Sequence, residues 1–240
     1  VVALFCLAGY GLRAARVTFP LLQLELFRIR TFRASVVGSF FTRLGIGGIP
    51  FLMPLLYQAG LGYTPVQSGL FLMPQALAGI SLKLTMPHIL RYFGYRRVLI
   101  SNTVILGVLI LLFATIGPAT PIWLILIQAF VFGFFSSLQY TSMNTLAYAD
   151  VAQEQTSSAS TIASTMQQMS VSFGVAVASL TAAFFVSDHL QASKPEMIQG
   201  IHRAFLVLGG LTILSALIFR ELRSDDGDTV SQHSTLPEAE

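Results

Sequence analysis

Six stretches of about 20 apolar residues follow one another along this chain, at 34–57, 66–90, 97–117, 121–147, 160–187 and 202–220. A helix rising 1.5 Å per residue crosses a ~30 Å hydrocarbon core in about 20 residues. A membrane barrel would instead show ~10-residue segments of alternating polarity, and no such pattern runs through this sequence. The chain is 54% hydrophobic and 10% charged, with a mean hydropathy of +0.70, too apolar for a soluble domain of 240 residues. The predicted fold class is an all-α membrane protein, with a six-helix transmembrane bundle over 34–220.

Each break between spans has a local cause. Gly60 to Pro65, Arg91 to Arg97, Gly117 to Pro121, Asp150 to Ser158 and Ser187 to Gly200 interrupt the apolar pattern with turn formers or charge. Links this short predict antiparallel neighbours in a compact bundle. Arg13, Arg16, Arg28, Arg30 and Arg33 precede the first span, Arg91, Arg96 and Arg97 follow the second, and Arg220 and Arg223 follow the sixth. The opposite side carries Lys194 and Arg203. That bias places both ends of the bundle in the cytoplasm and accounts for the basic pI near 9.2 without a nucleic-acid partner. Residues 1–12 read as the end of a preceding transmembrane helix, 13–33 as a basic cytoplasmic loop and 221–240 as a disordered cytoplasmic tail. A lone Cys6 excludes an internal disulfide.

Two cations sit well inside the spans. A charge at membrane depth costs at least ~2.5 kcal/mol on insertion scales, so each requires a physical reason. Arg43 lies about 14 Å into the first span at 1.5 Å per residue and cannot shed its proton. Two readings stand side by side. Its guanidinium either caps carbonyls freed by the Gly45-Ile46-Gly47-Gly48-Ile49-Pro50 run or serves a substrate or coupling ion. Lys83 is roughly 10 Å from a span end, within reach of snorkelling to the interface or of sharing a cavity with Arg43. Two such cations favour an anionic ligand or a carboxylate from elsewhere in the protein.

The remaining candidates are polar residues on helix faces. Gln128, Phe132, Phe135 and Gln139 recur at spacings of 4, 3 and 4 and share a face that suits either a cavity wall or a helix contact. Ser160, Ser164, Gln167, Ser170, Gly174 and Ala178 gather on one side of the fifth span, where small residues let helices approach closely. Gln167 is the cavity candidate among them. His88, His189 and His202 lie near span ends with no metal-ligand spacing, and no Asp or Glu falls inside a span. No catalytic set, metal site or cofactor is expected, so the chain reads as no enzyme.

Three stretches carry a family resemblance. They are Arg43 through Leu55 to Gln58; Phe93-Gly94-Tyr95-Arg96-Arg97-Val98 after Gly79 and Lys83; and Ser142-Met143-Asn144-Thr145-Leu146. A fourth runs from Thr156-Ser157-Ser158 through Gln167 and Gln168 to Ser172-Phe173-Gly174-Val175. Together they resemble the major facilitator superfamily, in particular its fourteen-helix drug:proton antiporter branch of EmrB/QacA type and the MdtD-like members of it. The resemblance implies that the six spans are the C-terminal bundle of a transporter working by alternating access. It further implies proton-coupled efflux of drugs or amphipathic compounds across a bacterial inner membrane. The partners implied are a small-molecule substrate, protons, the lipid bilayer and the N-terminal helices of the same protein. Arg91, Gly94, Arg96 and Arg97 resemble a cytoplasmic gating loop, although Arg91 and Tyr92 stand where the family commonly carries an acidic residue. Arg43, Lys83, Gln128, Gln139 and Gln167 are the candidates for a substrate or coupling site. An exporter of organic anions or anionic metal chelates, and a non-transporting scaffold subunit, are the alternatives.

Overall fold

A computed structural model describes residues 24–185, 194–223 and 226. Every regular element among them is helical. After a single 3₁₀ turn, α1 (Arg30–Ile46) runs to the Gly47-Gly48 step, and α2 (Ile49–Leu55) continues it into a π-helical turn at Leu56–Gly60. Pro50 near the start of α2 and Pro54 inside it remove backbone donors, which is why this span is segmented. Then come α3 (Pro65–Phe113), α4 (Ile122–Ala147), α5 (Thr156–Phe185) and α6 (Lys194–Ser215), the last followed by a 3₁₀ turn at Ile218–Glu221. Thr64 begins α3 with a reciprocal cap. Its hydroxyl accepts from the Gln67 N–H at 3.3 Å while its own N–H donates to Gln67 Oε1 at 3.0 Å, with Pro65 pre-set for the first turn.

The expected loop from Arg91 to Arg97 shrinks to one residue. Helix continues on both sides of Gly94, whose φ of 69° and ψ of 161° suit only glycine, so 65–113 is two arms joined at a sharp bend. The last span also starts earlier than its hydropathy suggests, at Lys194 rather than residue 202. Among the described residues, five helical stretches are long and apolar enough to cross a membrane: Arg30–Gly60, His88–Phe113, Ile122–Ala147, Gln153–Phe185 and Lys194–Glu221. The first arm of α3, which carries the expected second span, is helical but not one of them. Residues 1–23 and 227–240, including the expected preceding helix and most of the tail, lie outside the described residues, as does His189.

Packing departs from simple sequential antiparallel pairing. The main partners of α1 are α5, α6 and α4, whereas α3 packs chiefly on α4 and α6. Arg43 and Lys83 therefore do not lie on helices that pair closely along their length, and the side chain of Lys83 is outside the described residues. Three apolar clusters fill the interior. The largest includes Leu52, Leu56, Phe113, Phe132, Phe205 and Leu208, with Phe113 centred between Phe132 at 5.2 Å and Phe205 at 5.7 Å. A second gathers Leu82, Leu99, Leu138 and Phe219, and a third Phe32, Ala159 and Ile162. Outward faces of α4 and α6 are apolar, with Trp123, Ile127, Leu206 and Leu214 exposed, as lipid contact requires.

The end of the bundle that carries the arginines is tied together by polar contacts. Thr31 Oγ1 donates to Asp150 Oδ2 at 2.8 Å, Arg33 pairs with Glu221, and Arg30 pairs with Asp226, its Nε donating to Oδ2 at 2.9 Å. The backbone N–H of Arg223 also donates to Asp226 Oδ2 at 2.8 Å. Asp226 falls in the segment expected as a disordered tail, yet it is buried against α1. Burial alone would push its carboxyl up; the hydrogen bonds from Arg30 and Arg223 and their positive charges outweigh this and hold it below the usual range.

Candidate functional site

The site is organised by a close crossing of α1 and α5. A Cβ on Gly174 would meet Leu44 O at 2.8 Å and Arg43 O at 3.1 Å, and one on Gly47 would meet Val171 Cα at 3.3 Å. Only glycines allow these backbones to approach so far. The small-residue face of α5 thus divides. Ser170, Gly174 and Ala178 are buried in this contact, Gln167 is half-buried, and Ser160 and Ser164 are exposed.

Arg43 is 9% exposed. Helical side chains tilt toward the N-terminus, and Arg43 follows, with Nε donating to Ser39 Oγ one turn back at 2.9 Å. Its guanidinium carbon lies 4.0 Å from the centre of the Tyr140 ring on α4, a cation–π contact. The acceptor it reaches is therefore a hydroxyl, not a carbonyl of the glycine run; the Gly47 N–H bonds to the Arg43 carbonyl at 2.6 Å instead. Among the described residues the ion pairs are Arg30–Asp226 and Arg33–Glu221, and none involves Arg43.

A small crevice, with room for about one water, lies on the other side of Ser39. Ser35, Ser39, Asn144 and Gln167 line this space together with Met143 and Ala163, and Gln167 Nε2 donates to Asn144 Oδ1 at 2.8 Å across it. Ser35 is 1% exposed and its hydroxyl has no partner among the described residues. Arg43 and Gln167 are thus joined through Ser39 into one surface made by α1, α4 and α5. From that surface the exposed side of α5 extends as Ser160, Ser164, Thr165, Gln168 and Ser172 along the first half of the helix, beyond which Phe173, Leu180 and Phe184 are exposed.

The other candidates lie apart. Gln139 is fully buried between α3 and α4, where Asn102 Nδ2 donates to its Oε1 at 2.6 Å and its own Nε2 donates to Thr103 Oγ1 at 2.7 Å. Phe132 on the same face is buried against Phe113, and Gln128 is half-buried. That face is a helix contact in which a glutamine joins two helices. Arg91, Arg96 and Arg97 are exposed around the Gly94 bend, His88 is exposed, and His202 Nε2 lies 2.8 Å from the Ile116 carbonyl oxygen. No group of three or more His, Cys, Asp or Glu able to hold a metal occurs among the described residues.

Sequence reasoning missed Ser35, Ser39, Tyr140 and Asn144. Ser39 had a signal, standing four residues before Arg43 on the same helix. Tyr140 had none, because its neighbour on α1 is distant in the chain.

Comparison with known proteins agrees with this architecture. Residues 36–238 match the family described as the Major Facilitator Superfamily. Proteins named "Putative multidrug resistance protein MdtD" are similar over most of the chain. That of Pectobacterium carotovorum subsp. carotovorum (strain PC1) is 34% identical over 98% of this chain and 50% of its own length. The Escherichia coli O6:K15:H31 protein is 32% identical over 96% of this chain and 49% of its own length. The chain spans about half the length of the curated relatives it matches. With a match over most of its residues and an all-helical, membrane-spanning bundle to go with it, the chain belongs to the Major Facilitator Superfamily.

Proposed function

We propose that this bundle forms one wall of a secondary active transporter that exports drugs or amphipathic compounds in exchange for protons. The observation that carries the reading is the exposed polar side of α5, which continues into the crevice beside Ser39. Lipid cannot satisfy hydroxyl and amide groups, so such a face on a membrane helix borders either water or other helices. An aqueous path between two helical halves supplies both. The relatives extend to about twice the length of this chain, which leaves room for the opposite half.

Within this reading Arg43 and Gln167 contact substrate or the coupling machinery, with Lys83 on α3 and Gln128 on α4 as further candidates outside the crevice. Gln139 holds α3 to α4. Gly94 and the arginines around it form a gating bend at the cytoplasmic end, and the bias of Lys and Arg places the C-terminus there, in a bacterial inner membrane. The proton-carrying carboxylate belongs to the rest of the protein. A second reading, export of an organic anion or an anionic metal chelate, is favoured by the fact that Arg43 has no ion pair among the described residues.

Uptake into inverted vesicles under an imposed pH gradient tests both readings. Gradient-dependent accumulation of lipophilic cations supports the first, accumulation of organic anions alone the second, and no flux of either class leaves a scaffold. Accessibility tests the path itself. In a Cys6→Ser background, Ser164→Cys should react with a membrane-impermeant thiol reagent, and Leu214→Cys on the apolar side of α6 should not. Equal protection of both positions contradicts an aqueous face on α5.

A further inference from the structure

Between the start of α1 and the turn after α6, the outer wall of the bundle is cleft. Arg33, Val37 and Phe41 recur every four residues along one face of α1, and Leu217, Ile218 and Glu221 form the facing wall of a space of about 430 Å³. Four of these six residues are apolar, and the two charged ones stand together at one end. There Arg33 Nε and Nη2 each lie 3.3 Å from Glu221 Oε2, with the two side chains 45% and 53% exposed. The apolar walls run on into the end of α6, where Leu214 is exposed.

We propose that this cleft binds a phospholipid whose headgroup carries both a phosphate and a primary ammonium. An acyl chain lies along Val37, Phe41, Leu217 and Ile218, the phosphate accepts from Arg33, and the ammonium donates to Glu221. In this proposal the exposed apolar residues Phe41, Leu214 and Leu217 meet the bilayer, so hydrocarbon fills the apolar part of the cleft. Its charged mouth offers one cation and one anion, complementary to a zwitterionic head. A half-exposed pair at 3.3 Å is held weakly and can open to exchange partners. The neighbouring pair cannot, because Asp226 is buried and its oxygens are already taken by Arg30 and the Arg223 N–H. An anionic head without an amine would meet repulsion from Glu221, and a trimethylated amine has no N–H to donate to it.

Native mass spectrometry of the full-length protein tests this, with phosphatidylethanolamine, phosphatidylcholine and phosphatidylglycerol of identical acyl chains supplied in equal amounts. Wild type should retain the ethanolamine lipid about fivefold over either competitor, the scale of one headgroup charge contact. Glu221→Gln should reduce its retention to the level of the choline lipid, and Arg33→Gln should lower retention of all three. Should Arg33→Gln fail to fold, Phe41→Trp fills the apolar part and leaves both charges in place; it should remove the adducts altogether. Equal retention by wild type, a preference for the glycerol lipid, an unchanged preference in Glu221→Gln, or adducts that persist in Phe41→Trp would each overturn the proposal. The last two are also the results expected if other helices of the same protein cover the cleft.

Discussion

Arg30 and Arg43 stand on one helix, thirteen residues or about 20 Å apart along its axis, and they are held in opposite ways. Arg30 lies at the edge of the bundle and is met by a carboxylate, Asp226, that is itself fixed by a backbone N–H. Arg43 lies in the middle of a span, where an unanswered charge is most costly, and is met by one hydroxyl and the face of a ring. The first arrangement is complete within the chain. The second leaves guanidinium donors for which the described residues supply no anion. A cation that the fold satisfies serves the fold; the one that it leaves partly open is the one we propose to meet substrate or the coupling machinery.

The sharpest way to break this comparison is to remove each charge in turn. Arg43→Met in the full-length protein should lower transport about tenfold or more, the effect of losing ~1.4 kcal/mol of ligand or coupling interaction. Its stability should hardly change, since an apolar replacement of a buried charge is often neutral or stabilising. Arg30→Met should do the reverse, lowering unfolding free energy by about 2 kcal/mol because the buried Asp226 carboxylate loses its ion pair and keeps the Arg223 N–H, with transport retained. Vesicle flux and thermal unfolding in detergent read the two effects. Identical behaviour of the two variants would erase the distinction.

Tyr140 offers a finer test of how Arg43 is held. Tyr140→Leu removes the ring face and should weaken the interaction by about 1 kcal/mol, roughly fivefold in apparent substrate affinity, whereas Tyr140→Phe should match wild type. Ser39→Ala should have a similar or smaller effect, about 0.5–1 kcal/mol for one hydrogen bond, read in the same flux assay.

Acid distinguishes the pair at the edge of the bundle. The folded-state carboxyl of Asp226 is held below its ordinary range, so its contribution is fully present above the unfolded value of about 3.9. It is lost as pH falls through the depressed folded value. The stability gap between wild type and Asp226→Asn should therefore be constant from pH 5 to 8 and close as the solution is made more acidic. A gap that persists at the lowest pH would mean that Asp226 contributes by shape rather than charge.

Much of the fold was legible along the chain. Runs of about 20 apolar residues mark membrane helices whatever their neighbours, because the bilayer sets the length and each helix satisfies its own backbone. The Gly45 to Pro50 run marked a weakened stretch, which the structure breaks at Gly47, whereas the loop expected from Arg91 to Arg97 is a bend at Gly94 alone, because glycine can turn the chain in one residue. What hydropathy could not convey was how each face is used. Gln139 and Gln167 are the same residue type and each bonds to a neighbouring helix, yet one does so fully buried in the core and the other half-buried at the edge of a small crevice.

The sequence by itself determined an all-helical membrane bundle, its family and the presence of a cation too deep to escape easily. Only the tertiary structure decided that α1 packs on α5 rather than chiefly on its neighbour in sequence, that Tyr140 stacks on Arg43, and that Asp226 closes on Arg30. The physical reason is the range of the forces. Hydrophobic burial and backbone hydrogen bonding act residue by residue along a span, whereas the partner of a side chain depends on which helices come together, and that is settled by the shapes of all of them at once.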